Sequence, residues 1–279
     1  MQVTKQWVKD FAAAIRHGYD DNCFILAKAV SYSAVLALFP GLIVIAHLLL
    51  RNNALQTIDD ISLAIGTVLP PRVRDLLADY LTVEEDRSTM VLVLAGLASV
   101  FFATDLVISL MEGFRAAYKA PRRHAVRHDY AVAVALVFLS IGPLMVAQAG
   151  LILSRQFESW AIQFGVGAAW ITQVALATWW AVALPTVTLI LALLYYVAPH
   201  RKQSWRAVFP GALLAACLWA LATGLFTLYA QNVPRYQEFY GSLSAVIVLL
   251  IWTYLSSAII LLGCEFNAIR ERRLIQSSR

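Results

Sequence analysis

The sequence predicts an all-α integral membrane protein. It is read as a bundle of six transmembrane helices with both termini on the cytoplasmic side, an N-terminal interfacial amphipathic helix, and a helical outer cap between spans 1 and 2. Three observations predict this. The 279 residues are 60% hydrophobic and 14% charged, with a mean hydropathy of +0.68, whereas soluble domains run near ~45–50% apolar and about 25% charged. A soluble fold of this length needs far more polar surface to cover itself, so the bilayer is the solvent. Six stretches reach the ~20 apolar residues that carry a helix across the hydrocarbon. They are continuous rather than alternating, which excludes a β-barrel. Finally, lysine and arginine collect on alternate connections.

In chain order, residues 1–22 form the amphipathic helix, and 23–279 form one membrane domain. Val3, Trp7, Phe11 and Ile15 fall at four-residue intervals with Lys5, Lys9 and Arg16 off that stripe, which suits a helix lying in the inner interface or one packed on the inner end of the bundle. Asp10, Asp20 and Asp21 interrupt this stretch, so no cleavable signal peptide is expected and the first span is retained. The spans lie near 23–50, 89–112, 130–153, 170–198, 207–230 and 242–268. Residues 52–87 form the one large outer connection, two short helices broken at Pro70-Pro71, with Asp59, Asp60, Asp75, Asp79, Glu84, Glu85 and Asp86 on them. The first and fourth spans carry Pro40 and Pro185. Each proline removes a backbone donor and favours a bend, which makes Pro40, the adjacent Gly41 and Pro185 the hinge candidates.

Orientation follows from counting. With the N-terminus inside, the cytoplasmic segments hold three, five, three and four Lys or Arg, fifteen in all, against six outside, with Lys28 in a span. That is the positive-inside pattern. It accounts for the net charge of +5 without a nucleic-acid partner. The three cysteines, Cys23, Cys217 and Cys264, form no CxxC pair and predict neither a disulfide framework nor a zinc site.

Charges inside spans are the strongest pointer to function, since each costs roughly 2.5–3.5 kcal/mol at the bilayer centre on insertion scales. Lys28, Asp105 and Glu265 all fall in the inner third of their spans. Lys28 and Glu265 are near enough to water to snorkel. Asp105 is deeper and shorter, which calls for a partner or a polar cavity. If the three meet, Arg115 completes their balance. Ser31, Tyr32 and Ser33 stand just above Lys28 and can bond back to the helix or across to a neighbour. Lys28, Tyr32, Asp105, Arg115 and Glu265 are therefore the substrate-pocket candidates. Gln148 and Thr172-Gln173 are expected to join helices.

His124 and His128 sit at i and i+4, but Arg122, Arg123 and Arg127 surround them and repel a cation, so no metal is expected. These arginines, with Arg201 and Lys202, suit anionic lipid headgroups on the cytoplasmic side instead. No GxSxG, HExxH or phosphate-cradling loop is present, and no cofactor is expected.

Three blocks resemble a known family. AKAVSYSAVLALFPGL (27–42), ALPTVTLILALLYYVAPHRKQSWRAVFPGALLAACLWALATGLFTLYA (183–230) and YGSLSAVIVLLIWTYLSSAIILLGCEFNAIRER (240–272) are similar, in this order, to the YihY or virulence factor BrkB family, once mislabelled ribonuclease BN. Lys28 stands where that pattern leads one to expect a small residue. The resemblance implies a multi-pass protein of the bacterial cytoplasmic membrane, associated with resistance to host defence and with movement of envelope lipid precursors. Ribonuclease chemistry is rejected: it needs a metal-binding acidic site or a histidine pair near RNA, and the acidic residues cluster on the outer side. Two readings of function stay open. One is a transporter of a lipid-like or amphipathic substrate through a polar pocket open to the cytoplasm. The other is a membrane scaffold that binds envelope partners through its outer cap. Self-association is compatible with either.

Overall fold

A computed structural model describes residues 2–51, 89–121, 126–140, 168–199, 203–232 and 243–277, together with residue 142. Among the described residues there are seven helices and no strand: α1 (Gln2–Asp20), α2 (Cys23–Arg51), α3 (Thr89–Tyr118), α4 (126–140), α5 (Ala168–Val197), α6 (Trp205–Asn232) and α7 (Leu243–Ser277). Five contain stretches long and apolar enough to cross a membrane: Cys23–Val44, Thr89–Tyr118, Trp180–Val197, Trp205–Tyr229 and Val246–Gln276. The outer cap at 52–87 and the latter part of the expected third span lie outside the described residues, as does Gln148. Thr172 and Gln173 lie on α5, but their side chains are not among those described.

The helix ends are chemically specified. Asn22 adopts φ 58°, a left-handed conformation that asparagine tolerates, and its carbonyl accepts from the amides of Ile25 and Leu26, both at 3.0 Å. It thus separates α1 from α2. Lys119, with φ 51°, closes α3. Its amide donates to the Ala116 carbonyl and that of Ala120 to the Arg115 carbonyl, both at 2.9 Å, the paired closure usually built on glycine, and Pro121 follows. Gln203 closes α5 by donating from Nε2 to the carbonyls of Tyr195 and Tyr196. Ser204 starts α6, its Oγ accepting from the Arg206 amide at 3.3 Å.

Two helices overrun the expected spans. α3 continues to Tyr118 and α7 to Ser277, because loss of hydropathy marks the edge of hydrocarbon, not the end of helical hydrogen bonding. The overrun of α7 gives α1 something to pack on. Gly18 sits against Leu262, Ala14 against Phe266 and Ile269, and Asp10 against Arg273, so α1 runs antiparallel along the last turns of α7. α1 is therefore packed on an end of the bundle, while Val8, Ile15 and Tyr19 stay exposed. The stripe at four-residue intervals does not stay on one face, because each such step turns about 40° around a helix of about 3.6 residues per turn. Trp7 and Phe11 meet the α7 side, while Ile15 is exposed.

α2 and α3 are antiparallel along their length, with Leu26 beside Gly113, Ser33 beside Asp105 and Gly41 beside Ser99. α6 and α7 are antiparallel too. The principal core gathers where the start of α2, the ends of α3 and α5, the start of α6 and the second half of α7 meet. It is rich in alanine (Ala27, Ala117, Ala192, Ala212, Ala215, Ala216). Small residues let helix backbones approach closely where no hydrophobic force between helices operates in lipid. Phe114 and Tyr195 fill the remaining volume edge to face, 5.2 Å between ring centres. Hydroxyls within the helices turn back on their own carbonyls: Thr104, Ser140, Thr186, Thr188, Thr253 and Ser257 each bond the carbonyl four residues earlier at 2.7–2.9 Å, which removes orphan donors from the hydrocarbon.

Candidate functional site

The polar groups of the spans lie at helix contacts, staggered along the bundle. Asp105 of α3 lies at the contact with α2. Ser33 on α2 donates to its Oδ2 at 2.5 Å, a short hydroxyl–carboxylate bond of the charge-assisted kind, and the same hydroxyl lies 3.2 Å from the Ala29 carbonyl. Two turns further along the same contact, Ser99 donates to the Ala37 carbonyl at 3.1 Å. Pro40 lacks an amide and frees carbonyls one turn earlier; a serine from the neighbouring helix supplies a donor there, as irregular backbone in a membrane requires. A Cβ on Gly41 would stand 2.9 Å from the Ser99 Oγ, so this glycine admits the serine. At Pro185, within α5, the donor to the Val182 carbonyl is α5's own Thr186.

The next layer is Arg115 of α3, which pairs with Asp129 of α4 at 2.7 Å, with 11% and 3% of the side chains exposed. At the end of the bundle Glu265 is fully buried at 0% exposure. The Cys23 thiol lies 3.7 Å from its Oε1 as donor, and Asp21 and Arg272 are the charged groups that face it. The C-terminal part of α7 then fastens three elements. Arg273 holds Asp10 of α1 through both carboxylate oxygens, Arg272 donates to the Ala117 carbonyl at the end of α3, and Arg270 stands 5.0 Å over the Trp7 ring. Asn267 bridges α7 to α6. Its Oδ1 accepts from the Gly211 amide at 2.7 Å and its Nδ2 donates to the Val208 carbonyl at 2.8 Å, either side of Pro210. Tyr195 donates to the Ile260 carbonyl at 2.5 Å.

Of the two arrangements the sequence left open for Lys28, Asp105 and Glu265, a meeting is not formed, and Glu265, buried at 0% exposure, does not snorkel either. Glu265 is level with Cys23 and Asp105 with Ser33, separated by about 15 Å at ~1.5 Å per residue. Lys28 lies between those levels on another face of α2: Ile25, Lys28, Ala29 and Tyr32 are all exposed, Tyr32 at 63%. Arg115 has Asp129 as its counter-ion and does not balance the other three. Arg127 is exposed on α4, as is His128; Arg122, Arg123, His124, Arg201 and Lys202 lie outside the described residues. Sequence reasoning missed Asp129, Asp10 and Asn267 as partners. The available signal was that Asp129 and Asn267 are polar residues on largely apolar helices and Asp10 one on the amphipathic helix, each with an arginine or a proline-bearing helix at the same end of the bundle.

Long apolar helices, hydroxyls folded back on their own carbonyls and charges set at helix contacts define a multi-pass α-helical membrane protein. The chain belongs to the virulence factor BrkB family, whose pattern it matches over residues 14–279. It is 29% identical over 253 residues to the ribonuclease-like protein YfkH of Bacillus subtilis, covering 88% of each chain. It is 30% identical over 261 residues to a UPF0761 membrane protein of Alcanivorax borkumensis, covering 91% of this chain and 58% of that one. With the UPF0761 membrane protein IL2447 of Idiomarina loihiensis it shares 26% over 258 residues, covering 92% and 88%. No solved structure matches. The chain is a multi-pass protein of the bacterial cytoplasmic membrane.

Proposed function

We propose that this chain moves a lipid-like or amphipathic envelope substrate, with six spans, both termini in the cytoplasm and residues 52–87 as an outer cap that gates the far side. The charge asymmetry of the connections supports the orientation. One observation carries the functional reading. Asp105 is a carboxylate within an apolar span, and its recorded polar contact among the described residues is a serine hydroxyl rather than a cation. Charges that only lock a bundle are neutralised by pairing, as Arg115 with Asp129 and Asp10 with Arg273 are. Asp105 stands beside a proline-bearing stretch of α2, and Lys28 with Tyr32 lies on the exposed face of that same helix. An acid on α3 and a base on α2, at different depths, suit a headgroup that carries both signs. Anionic headgroups on the cytoplasmic side suit Arg127, Lys9 and Arg16, all exposed.

The test is passage of a fluorescent short-chain phospholipid between leaflets of proteoliposomes, followed by an external quencher. The wild-type chain exceeds protein-free vesicles, and Asp105→Asn combined with Lys28→Met returns to their rate. A wild type no faster than empty vesicles sinks the transport reading; an unaffected double variant removes these two residues from it.

The reading is of a non-enzyme, and YfkH's ribonuclease-like description is not carried to this chain. Ribonuclease chemistry needs acids or histidines grouped within reach of RNA, whereas the acidic residues concentrate in 52–87. Those same acids favour the second reading, a scaffold that engages envelope partners through the cap. A stoichiometric cross-link to one partner through 52–87 without lipid flux selects it.

A further inference from the structure

We propose that α1 carries an anionic-lipid-binding face, on which Val8, Ala12, Ile15 and Tyr19 lie against the adjoining leaflet while Lys9 and Arg16 meet its anionic headgroups. The four residues are spaced by four, three and four, so at about 3.6 residues per turn they fall on one line along the helix. All four are exposed, Val8 at 65%, Ile15 at 43% and Tyr19 at 76%. This line is not the one that α7 covers. Asp10, Ala14 and Gly18 make that contact, about a third of a turn away around the helix. Lys9 and Arg16, both exposed, follow about a quarter of a turn beyond the apolar line on its other side. The order around α1 is thus buried, apolar, basic, with the exposed acid Asp20 at its last residue.

Two features assign lipid to the apolar line. The first is depth. Gly18 lies against Leu262 in the apolar part of α7, and Asp10 against Arg273 in the stretch that holds Arg270, Arg272 and Arg273. α1 therefore spans the level at which α7 passes from apolar to basic, the mark of the hydrocarbon edge, with Tyr19 and Ile15 nearer the acyl chains and Val8 nearer the headgroups. The second is charge. An apolar line with lysine and arginine beside it is the arrangement by which a helix seats itself on an anionic bilayer surface. A second copy of this chain docked face to face there would set Lys9 and Arg16 against their own equivalents, and like charges across an interface are unfavourable. The inference goes beyond the transport reading and does not rest on it, since contact with bilayer lipid is read without any flux.

Spin labelling of the full chain in nanodiscs tests it. Cys217→Ser removes the exposed thiol, Cys23 and Cys264 being buried, and single labels are placed at Val8→Cys, at Ala12→Cys and, as the control off the apolar line, at exposed Gln6→Cys. In discs containing phosphatidylglycerol, the Val8 and Ala12 labels are expected to collide with a water-soluble nickel chelate severalfold less often than the Gln6 label. That protection is expected to weaken in discs of phosphatidylcholine alone, and to weaken likewise in phosphatidylglycerol when Lys9→Gln and Arg16→Gln are added. Equal access at all three labels overturns the proposal, as does protection that is indifferent to both lipid charge and the two basic residues. Dipolar broadening between Ala12 labels, the sign of a second copy on this face, overturns it too. On the unsubstituted chain, amide exchange across 6–20 is expected to be slower in phosphatidylglycerol than in phosphatidylcholine discs, and equal rates count against the proposal without any engineered cysteine.

Discussion

Ser33 is the residue on which the setting of Asp105 depends. Replacing it with alanine leaves a half-buried carboxylate without its donor, and the deficit costs about 1 kcal/mol, the lower end for an orphaned buried group because Asp105 is partly exposed. Ser33→Ala is expected to lower the melting temperature of the detergent-purified chain more than Ser31→Ala, whose hydroxyl only turns back to the Lys28 carbonyl at 2.8 Å. Equal effects would show that the bond across to α3 contributes nothing. Asn267→Leu is expected to cost more, about 2 kcal/mol, since it strips partners from both a buried amide and a buried carbonyl at once. The presence of Lys28, Asp105 and Glu265 as charges in spans was legible in the sequence, because cost in lipid depends on residue type and depth. Their partners were not. Ser33 and Asp105 are separated by 72 positions, and which of two serines two residues apart crosses to a neighbour depends on helix rotation, which hydropathy does not encode.

At the scale of elements, the crossing of α6 and α7 rests on the absence of side chains. A Cβ on Gly263 would stand 2.6 Å from the Tyr195 hydroxyl and 2.7 Å from the Ala215 Cβ, with the Gly211 carbonyl at 2.9 Å. Two of these are backbone or Cβ atoms that cannot step aside. Gly263→Ala is expected to destabilise by about 1–3 kcal/mol through overpacking, whereas the same change at Gly224, with nothing within 4 Å, is expected to be neutral or slightly stabilising. Thermal unfolding of the two variants side by side checks the contrast. The fastening of α1 is a second element-scale case. Asp10 is 3% exposed against a partner that is 39% exposed at the side chain, so breaking the pair costs less than the full penalty of a buried ion pair. Arg273→Gln is expected to speed amide exchange across 6–20 by about tenfold, corresponding to about 1.4 kcal/mol, with little change in α3. Unchanged exchange in α1 would show that Ala14 and Phe266 hold it without the ion pair. The spans were legible because 20 apolar residues are hard to disguise. The true ends of α3 and α7 were not, since helices continue past the hydrocarbon wherever another element packs on them.

At the scale of the whole molecule, the alternation of helix direction is recorded in which residues meet. The start of α2 lies with the ends of α3 and α7, and the start of α6 with the end of α5. Polar fastenings concentrate at that end, where Arg115, Gln203, Asn267, Arg272 and Arg273 all work. If that end faces the cytoplasm, a green fluorescent protein fused after Arg279 fluoresces and an alkaline phosphatase fused within 52–87 is active. The reverse pair of results inverts the proposed orientation. A dense polar end also means that an amphipathic substrate is better met along the exposed flank of α2 than through the middle of the bundle, where Tyr195, Phe114 and Met111 are at most 1% exposed.

The most direct measurement is therefore an electron cryomicroscopy map of the full chain in nanodiscs made from bacterial lipid. Elongated lipid-like density is predicted along Ile25, Ala29 and Tyr32 of α2, with its polar end at the Lys28 ammonium and an opening beside Asp105. A map in which protein covers that face of α2, or in which Asp105 is sealed against a cation with no lipid near Lys28, would contradict it.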